Sequence, residues 1–316
     1  MDEDIENSFR GERNMKKRIL ALGLTVALAA ASLAACGGAS TKTTEKATEA
    51  GTEQGSEKAT EAAKEEKADS GELRTYKLGV NGSDHEEWEK ANELLAKDNI
   101  KLEMVEFSDY VKPNEALEDG EIDLNAFQTE IYFNNFVKER GYTDLGILAY
   151  TQVAPMGIYS SKYKSLDEAT GHLIIAIPND VTNGGRALKF LEKNGFLTLK
   201  KEAGLTPTVM DIEKYNKDVE IVEMVATQIP ASLPDLSFAC INNGVAKDAG
   251  LTLKNDAIVY EDYKEPDMKN YWNIIAAKKD RIESEDFQKI KKAYNSDEVK
   301  QVVLEHYDGQ SIPVWD

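Results

Sequence analysis

The fold of this chain is indicated first by residues 173–186, which read Leu173-Ile174-Ile175-Ala176-Ile177-Pro178-Asn179-Asp180-Val181-Thr182-Asn183-Gly184-Gly185-Arg186. The first five residues are all apolar, as in a strand of a sheet that is covered on both faces. A polar turn follows, and we predict a helix over residues 185–194 that ends at Gly195. The stretch is therefore typical of a strand–turn–helix unit in an α/β fold.

The turn of this unit is a candidate ligand site. Ligands of α/β folds bind at the carboxyl ends of the parallel strands, and a helix N-terminus offers free N–H groups there. Arg186, in the first helical turn, adds a bidentate donor that suits a carboxylate. The other interpretation is an ordinary helix cap at Thr182 or Asn183, with Arg186 in a surface ion pair. The residues alone leave both interpretations open.

Strand and helix patterns alternate along the rest of the chain. We predict strands or extended segments at 76–80, 100–107, 122–127, 145–159, 219–225, 237–241, 257–260 and 271–276, and helices at 85–97, 113–118, 131–140, 287–294 and 297–307. Such alternation predicts an α/β class with largely parallel sheets. The folded part, from residue 73 onward, is long enough to form two lobes.

Composition narrows the class of function. The formal net charge of −19 argues against a nucleic-acid partner, whose phosphates need basic side chains. The three histidines, His85, His172 and His306, stand far apart, and no nucleophile-and-base motif occurs. We therefore expect no enzyme, no cofactor and no metal. Cys240 lies in an apolar run and is expected to be a buried, unreactive thiol.

The N-terminal region has the features of an export signal. Basic residues 16–18 precede an apolar run over 19–35, which is shorter than the ~20 residues that span a bilayer comfortably. The run ends in Leu33-Ala34-Ala35-Cys36, which resembles the lipobox of bacterial lipoproteins. This predicts a signal peptide over 1–35, a lipidated Cys36 and attachment by acyl chains to the extracytoplasmic face of the membrane. A plain transmembrane anchor is the alternative.

Two further expectations concern the same region. The acidic residues before Met15 suit a signal peptide badly, so we expect translation to begin at Met15. Residues 37–72 contain no Leu, Ile, Val, Met, Pro or aromatic side chain and cannot bury a core. We therefore predict that residues 36–72 comprise the lipidated cysteine and a disordered polar tether.

Several motifs in order give the chain a family resemblance. They are Ser108-Asp109-Tyr110-Val111-Lys112-Pro113-Asn114-Glu115-Ala116-Leu117, Gly120-Glu121-Ile122-Asp123-Leu124-Asn125-Ala126-Phe127-Gln128, the 178–188 stretch, Ile241-Asn242 and Tyr271-Trp272-Asn273-Ile274-Ile275. Together they resemble the MetQ/NlpA family of methionine-binding lipoproteins over essentially all of residues 73–316. The resemblance implies a two-lobed type II periplasmic-binding-protein fold with a ligand cleft between the lobes. It also implies delivery of the ligand to an ABC importer. We expect residues 73–153 and 256–316 in lobe 1 and 154–255 in lobe 2, in a monomer.

The resemblance also implies the residues of the cleft. Three aromatic side chains would surround a thioether, Arg186 would pair with a carboxylate beside Asn183, and two amides would hold the ligand backbone. The aromatic residues are Tyr110, Phe127 and Tyr132, and the amides are Asn242 and Asn273. Thr129 stands where the family usually has a histidine that lines the pocket. L-Methionine is the favoured ligand, and Thr129 leaves a methionyl dipeptide or another apolar amino acid open. A secreted hydrolase or a surface scaffold is the alternative of another class.

Overall fold

The computed structural model describes residues 71–315. The predicted signal peptide, the start at Met15, the lipidated Cys36 and most of the predicted tether lie outside the described residues. Among the helices within 71–315, none is long and apolar enough to cross a membrane.

The described elements alternate along the chain, as predicted. The strands are β1 (Arg74–Asn81), β2 (Ile100–Phe107), β3 (Leu124–Asn125), β4 (Leu145–Val153), β5 (Gly157–Tyr159), β6 (Leu173–Pro178), β7 (Leu197–Leu199), β8 (Ile212–Tyr215), β9 (Val219–Met224), β10 (Phe238–Ile241), β11 (Ala257–Tyr260), β12 (Trp272–Lys278) and β13 (Ile312–Pro313). The α-helices are α1 (Glu86–Leu95), α2 (Lys112–Asp119), α3 (Glu130–Arg140), α4 (Val181–Lys193), α5 (Ile229–Ser232), α6 (Asn243–Asp248), α7 (Lys279–Ile282), α8 (Glu285–Tyr294) and α9 (Asp297–His306). Short 3-10 helices occur at Ala96–Asp98, Val209–Asp211, Ala226–Gln228 and Pro266–Tyr271.

Two mixed sheets form two lobes. The first lobe has the strand order β13-β4-β12-β3-β1-β2, and the second has β11-β5-β10-β6-β9. Parallel pairs join β1 to β2 and β3, and β6 to β9 and β10. The pairs that involve β4, β5, β11 and β12 are antiparallel. The prediction of largely parallel sheets is therefore wrong. The antiparallel pairs occur at the strands through which the chain leaves or enters a lobe, where no crossover helix imposes a parallel return.

The chain passes between the lobes twice within residues 71–315. The first crossing, residues 154–156, separates β4 from β5, and the second crossing, residues 261–271, separates β11 from β12. The extended segment predicted over 145–159 is thus two strands in different sheets. The expected return to lobe 1 at residue 256 is too early, because β11 pairs with β5 in the second sheet.

The quoted strand, β6, is covered on both faces as predicted. Leu173, Ile175 and Ile177 pack into one apolar cluster with helix α4, while Ala176 belongs to a second cluster on the opposite face. Each of these side chains is at most 1% exposed. Continuous apolar sequence here reflects burial on alternating sides of the strand.

Helix α4 begins four residues earlier than predicted. Asp180 is its N-cap, and the carboxylate accepts a hydrogen bond of 2.8 Å from the Asn183 backbone N–H. Two adjacent glycines permit close packing at this turn. A Cβ on Gly184 would lie 2.7 Å from the Pro178 carbonyl oxygen, and one on Gly185 would lie 2.8 Å from the backbone of residue 206. The poor helix propensity of glycine hid this start. The alternative of a cap at Thr182 or Asn183 is wrong, because both residues lie inside the helix and Asp180 caps it.

Candidate ligand-binding site

A cavity of about 610 Å³ lies between the two lobes. This volume is in the range of small-molecule sites. All eight residues that the sequence predicted for the cleft line it: Tyr110, Phe127, Thr129, Tyr132, Asn183, Arg186, Asn242 and Asn273. The structure therefore brings together residues that are up to 163 positions apart (273 − 110).

Three aromatic rings form one apolar wall. The centroids of Tyr110, Phe127 and Tyr132 lie 5.9–6.2 Å from one another, in tilted and edge-on orientations. The Tyr132 hydroxyl donates a 3.0 Å hydrogen bond to the Tyr110 carbonyl oxygen, which fixes the two residues to each other. Burial, with the charge of Asp180 next in size, raises the pKa of both phenols well above the usual range. Both rings are therefore neutral and suited to an apolar ligand group.

Arg186 is buried and already has an acidic partner. Its Nε and Nη2 donate to the carboxylate of Glu261, with the Nη2–Oε2 distance at 2.5 Å. Nη2 also donates to the Ala154 carbonyl oxygen at 2.9 Å, and the guanidinium carbon lies 4.3 Å from the centre of the Tyr271 ring. Within residues 71–315 the Nη1 group makes no hydrogen bond. The interpretation of Arg186 as a surface ion pair is wrong, since the residue is 3% exposed.

Two asparagines connect α4 to the start of α6 on the wall of the same cavity. The Asn242 side-chain amide donates a 2.7 Å hydrogen bond to the Asn183 side-chain oxygen. Asn183 in turn donates from its amide to both oxygens of Asp180 at 3.0–3.1 Å. Asn242 occupies the N-cap position of α6, but its side chain does not cap that helix. The two side chains are thus oriented by each other and by Asp180.

Several amide oxygens on the cavity wall lack a donor. In the part of the chain that the structure describes, the side-chain oxygens of four cavity-lining residues are buried without a hydrogen-bond partner: Asn81, Gln152, Asn242 and Asn243. Burying an acceptor without a donor costs about 1–3 kcal/mol. An ammonium group that reached any of these oxygens would offset the cost for that oxygen.

Thr129 and Asn273 meet where the first lobe borders the cavity. Thr129 is the N-cap of α3, and its hydroxyl accepts a hydrogen bond of 3.3 Å from the Tyr132 backbone N–H. The two residues form an antiparallel bridge, next to a 3.0 Å hydrogen bond from the Ile274 N–H to the Gln128 carbonyl oxygen. Thr129 therefore has a structural role at the start of α3, which was not predicted from the sequence.

A buried amide network supports the loop that carries Phe127. The side chains of Asn114 and Gln128 exchange two hydrogen bonds of 2.7 Å. Asn125 joins them through a 2.8 Å bond from Gln128 and a 2.9 Å bond to Asn114. All three residues are at most 3% exposed. All three lie in the motifs that carry the family resemblance, but their sequence pattern alone did not indicate a network.

An acidic side chain occupies another part of the cavity wall. Glu87 is buried, and its carboxylate accepts a 2.5 Å hydrogen bond from the Tyr307 hydroxyl. Burial raises the pKa of Glu87, and the bond from Tyr307 and the charges of Lys247 and His85 only partly offset it. For nearby Asp84, burial acts in the same direction, but hydrogen bonds from His306 and Lys247 outweigh it and lower the pKa.

This raised pKa gives stability a pH dependence. A carboxyl whose folded-state pKa lies above the unfolded value of 4.5 stabilises the fold below that pH, and the contribution is lost as the pH rises through the folded-state pKa. Glu87→Gln stays neutral, so its free energy of unfolding should improve relative to the wild type as the pH rises from 4.5. Urea denaturation over a pH series measures this, with Glu89→Gln on the exposed face of α1 as the control. A difference that does not change with pH contradicts the prediction.

The lobes also touch each other beside the cavity. Lys247 of α6 contacts Asp84 at 3.2 Å, and its ammonium lies 4.2 Å from the centre of the Tyr307 ring. Asn243 donates a 2.8 Å hydrogen bond to the Gln310 carbonyl oxygen. The structure thus shows the two lobes in contact across the cleft.

Comparison with known proteins identifies the family. The NlpA lipoprotein family model matches residues 76–315. The chain belongs to this family. It is 40% identical over 243 residues to the D-methionine-binding lipoprotein MetQ of Escherichia coli K12, which covers 76% of this chain and 88% of that protein. The resemblance stated from the motifs is therefore confirmed.

Solved structures of similar proteins agree with the two-lobed fold. A nutrient binding protein from Burkholderia cenocepacia bound to methionine has a TM-score of 0.72 at 35% identity, covering 76% of this chain and 100% of that one. The substrate binding protein of a methionine transporter from Streptococcus pneumoniae has a TM-score of 0.71 at 38% identity, covering 76% and 96%. The predicted two-lobed periplasmic-binding-protein fold is confirmed, and both of these relatives are named as binding proteins.

Proposed function

We propose that this protein captures methionine in the cleft and delivers it to an ABC importer. The observation that carries the proposal is the chemistry of the cavity wall. It combines an arginine Nη1 without a protein partner, amide oxygens without donors and a cluster of aromatic rings. A carboxylate, an ammonium and a thioether match these three features. Sulfur against aromatic rings is favourable by roughly 0.3–1.5 kcal/mol a contact.

Each predicted residue has a role in this proposal. Tyr110, Phe127 and Tyr132 surround the thioether, and Thr129 forms one side of the same pocket. Arg186 binds the carboxylate with Asn183 beside it. The ligand's polar backbone is held by two further amides, Asn242 and Asn273. The names of the relatives support methionine as the ligand class, and the E. coli relative is named for the D enantiomer.

Identification of the ligand tests the proposal directly. Mass spectrometry of small molecules released from purified, denatured protein should detect methionine. Calorimetry on ligand-stripped protein should then show one-to-one binding of methionine. Parallel titrations with the L and D enantiomers decide between the L-methionine that we favour and the D form. If neither enantiomer binds, methionine is not the substrate.

A methionyl dipeptide is the second candidate, because Thr129 leaves more room than histidine. If methionine is the ligand, Thr129→His should change its binding free energy by about 1–2 kcal/mol or less, as expected for a local change of shape. If the ligand is a dipeptide, the larger side chain should weaken its binding tens-fold or more. Titrations of both ligands on both proteins measure this.

The helix cap requires a control for this substitution. Loss of the cap hydroxyl from Thr129 should cost about 1 kcal/mol of stability. Thr129→Ser keeps the hydroxyl and the small size, so it should retain both stability and binding of either ligand. Equal tolerance of Thr129→His by methionine and by the dipeptide would remove Thr129 as a selectivity residue.

The protein acts, in our proposal, at the extracytoplasmic face of the membrane. Acyl chains on Cys36 anchor it, and the monomer docks on the permease after the lobes close. Cys36→Ser should accumulate an unlipidated precursor, because serine lacks the thiol that accepts the diacylglycerol. Detergent partitioning and labelling with radioactive palmitate measure this. Palmitate labelling of the serine variant would contradict the proposed anchor.

A further inference from the structure

The two crossings between the lobes are fastened together by one acidic residue. Glu261 begins the second crossing and is 8% exposed. Its backbone N–H donates a 3.0 Å hydrogen bond to the carbonyl oxygen of Met156 in the first crossing. Its side-chain Oε2 accepts a 2.7 Å hydrogen bond from the Met156 N–H. Glu261 therefore satisfies both backbone groups of one residue in the opposite crossing.

Arg186 extends this connection into the cavity. It binds the Glu261 carboxylate, and it donates to Ala154 at the start of the first crossing. Its guanidinium also lies over the ring of Tyr271, the last residue of the second crossing. One buried cation thus contacts both crossings and lines the cavity, and within residues 71–315 its Nη1 group has no hydrogen-bond partner.

Movement of the lobes must alter these contacts. Lobe closure in two-lobed binding proteins is absorbed by backbone changes in a few residues of the linking segments. Here a rotation about the crossings would shift Ala154 or Tyr271 relative to the guanidinium. A ligand group that binds one orientation of Arg186 would therefore favour the arrangement of the crossings that goes with it. Ligand binding would in this way shift the equilibrium between arrangements of the two crossings.

We propose that Glu261 is a positioning residue: it orients Arg186 toward the ligand carboxylate and ties that carboxylate to the hinge formed by the two crossings. This inference rests on the proposed function for the carboxylate. With Nε and Nη2 committed to Glu261 and Ala154, the guanidinium presents Nη1 in a fixed direction. A ligand then loses less free energy in ordering its partner, because the donor is already placed.

Glu261→Gln tests both parts of the inference on the full chain. An amide cannot accept all the bonds that the carboxylate accepts from Arg186 and from the Met156 N–H. We expect the affinity for methionine to fall by roughly tenfold or more, as for loss of a charge-assisted bond. We also expect, without ligand, faster amide hydrogen exchange in residues 154–157 and 261–272 than in the wild type.

Glu118→Gln is the matched control. Glu118 pairs with Lys278 at 2.9 Å and is also partly buried, but both residues lie within the first lobe. Its replacement should leave both the methionine affinity and the exchange of the crossings unchanged. If Glu261→Gln does not fold, Glu261→Asp, which keeps the charge but shortens its reach, is measured in the same way.

The outcomes separate this inference from the proposed function. Failure of the wild type to bind methionine would rule out methionine as the ligand. The hydrogen-exchange measurement without ligand would still show whether Glu261 stabilises the two crossings. If Glu261→Gln binds methionine with wild-type affinity, Glu261 does not position Arg186 for the ligand. Unchanged exchange at the crossings would overturn the link to the hinge.

Discussion

Arg186→Ala should lose methionine binding and much of the protein's stability at once. Removing the guanidinium leaves the Glu261 carboxylate buried without its cation, and breaking such a pair typically costs about 3–5 kcal/mol of unfolding free energy. It also leaves a ligand carboxylate without a partner in a desolvated cleft, which costs about 2–5 kcal/mol, or roughly thirtyfold in affinity at the least. Urea denaturation without ligand and calorimetry with methionine measure the two effects separately.

A double variant distinguishes the two causes. Arg186→Met together with Glu261→Gln removes both charges and leaves no uncompensated ion, so most of the lost stability should return while binding stays weak. Arg186→Lys keeps a charge beside Glu261 but lacks the planar fork, so it should be more stable than the alanine variant and still bind methionine poorly. A stable Arg186→Ala protein with wild-type affinity would move the carboxylate site elsewhere in the cleft.

The dependence of Arg186 on Glu261 shows where sequence reasoning stops. The strand–turn–helix unit of residues 173–186 is local, and its apolar strand and arginine could be predicted from neighbouring residues. Glu261 lies 75 positions away and follows an ordinary short strand. Its partner is set by the way the two crossings pack together, which no local pattern records. The same limit explains why the predicted return to lobe 1 at residue 256 is too early. The sheet to which β11 belongs is determined by its pairing with β5, which lies about 100 residues earlier in the chain.

The pocket residues could be predicted for a different reason than the strand–turn–helix unit. Their positions were implied by motifs of a family, and the structure places all eight on one cavity. Periodicity alone would have left Tyr110 and Phe127 as ordinary core residues. Conversely, Thr129 drew attention as a departure from the family pattern, yet its hydroxyl caps α3, a role that is visible only once the helix start is known.

Gln128→Leu should destabilise the protein by about 2–4 kcal/mol, although leucine is apolar and of similar size. The substitution removes the acceptor for the Asn114 amide and the donor to Asn125, and it leaves both groups buried. Each unsatisfied buried polar group costs about 1–3 kcal/mol, and a partly satisfied network is worse than an apolar core. The midpoint of thermal unfolding, measured without ligand, should fall by roughly 2–4 °C per kcal/mol for a domain of this size.

The same substitution elsewhere provides the comparison. Gln301 lies on the exposed side of α9, where its amide donates a hydrogen bond to Glu305, and Gln301→Leu should change stability by about 0.5 kcal/mol or less. The network also positions the loop that carries Phe127, so methionine affinity should fall in the Gln128 variant even at temperatures where it is folded. A Gln128→Leu protein as stable as the Gln301→Leu protein would show that the neighbouring amides find new partners. The buried network would then not be what holds the aromatic wall in place.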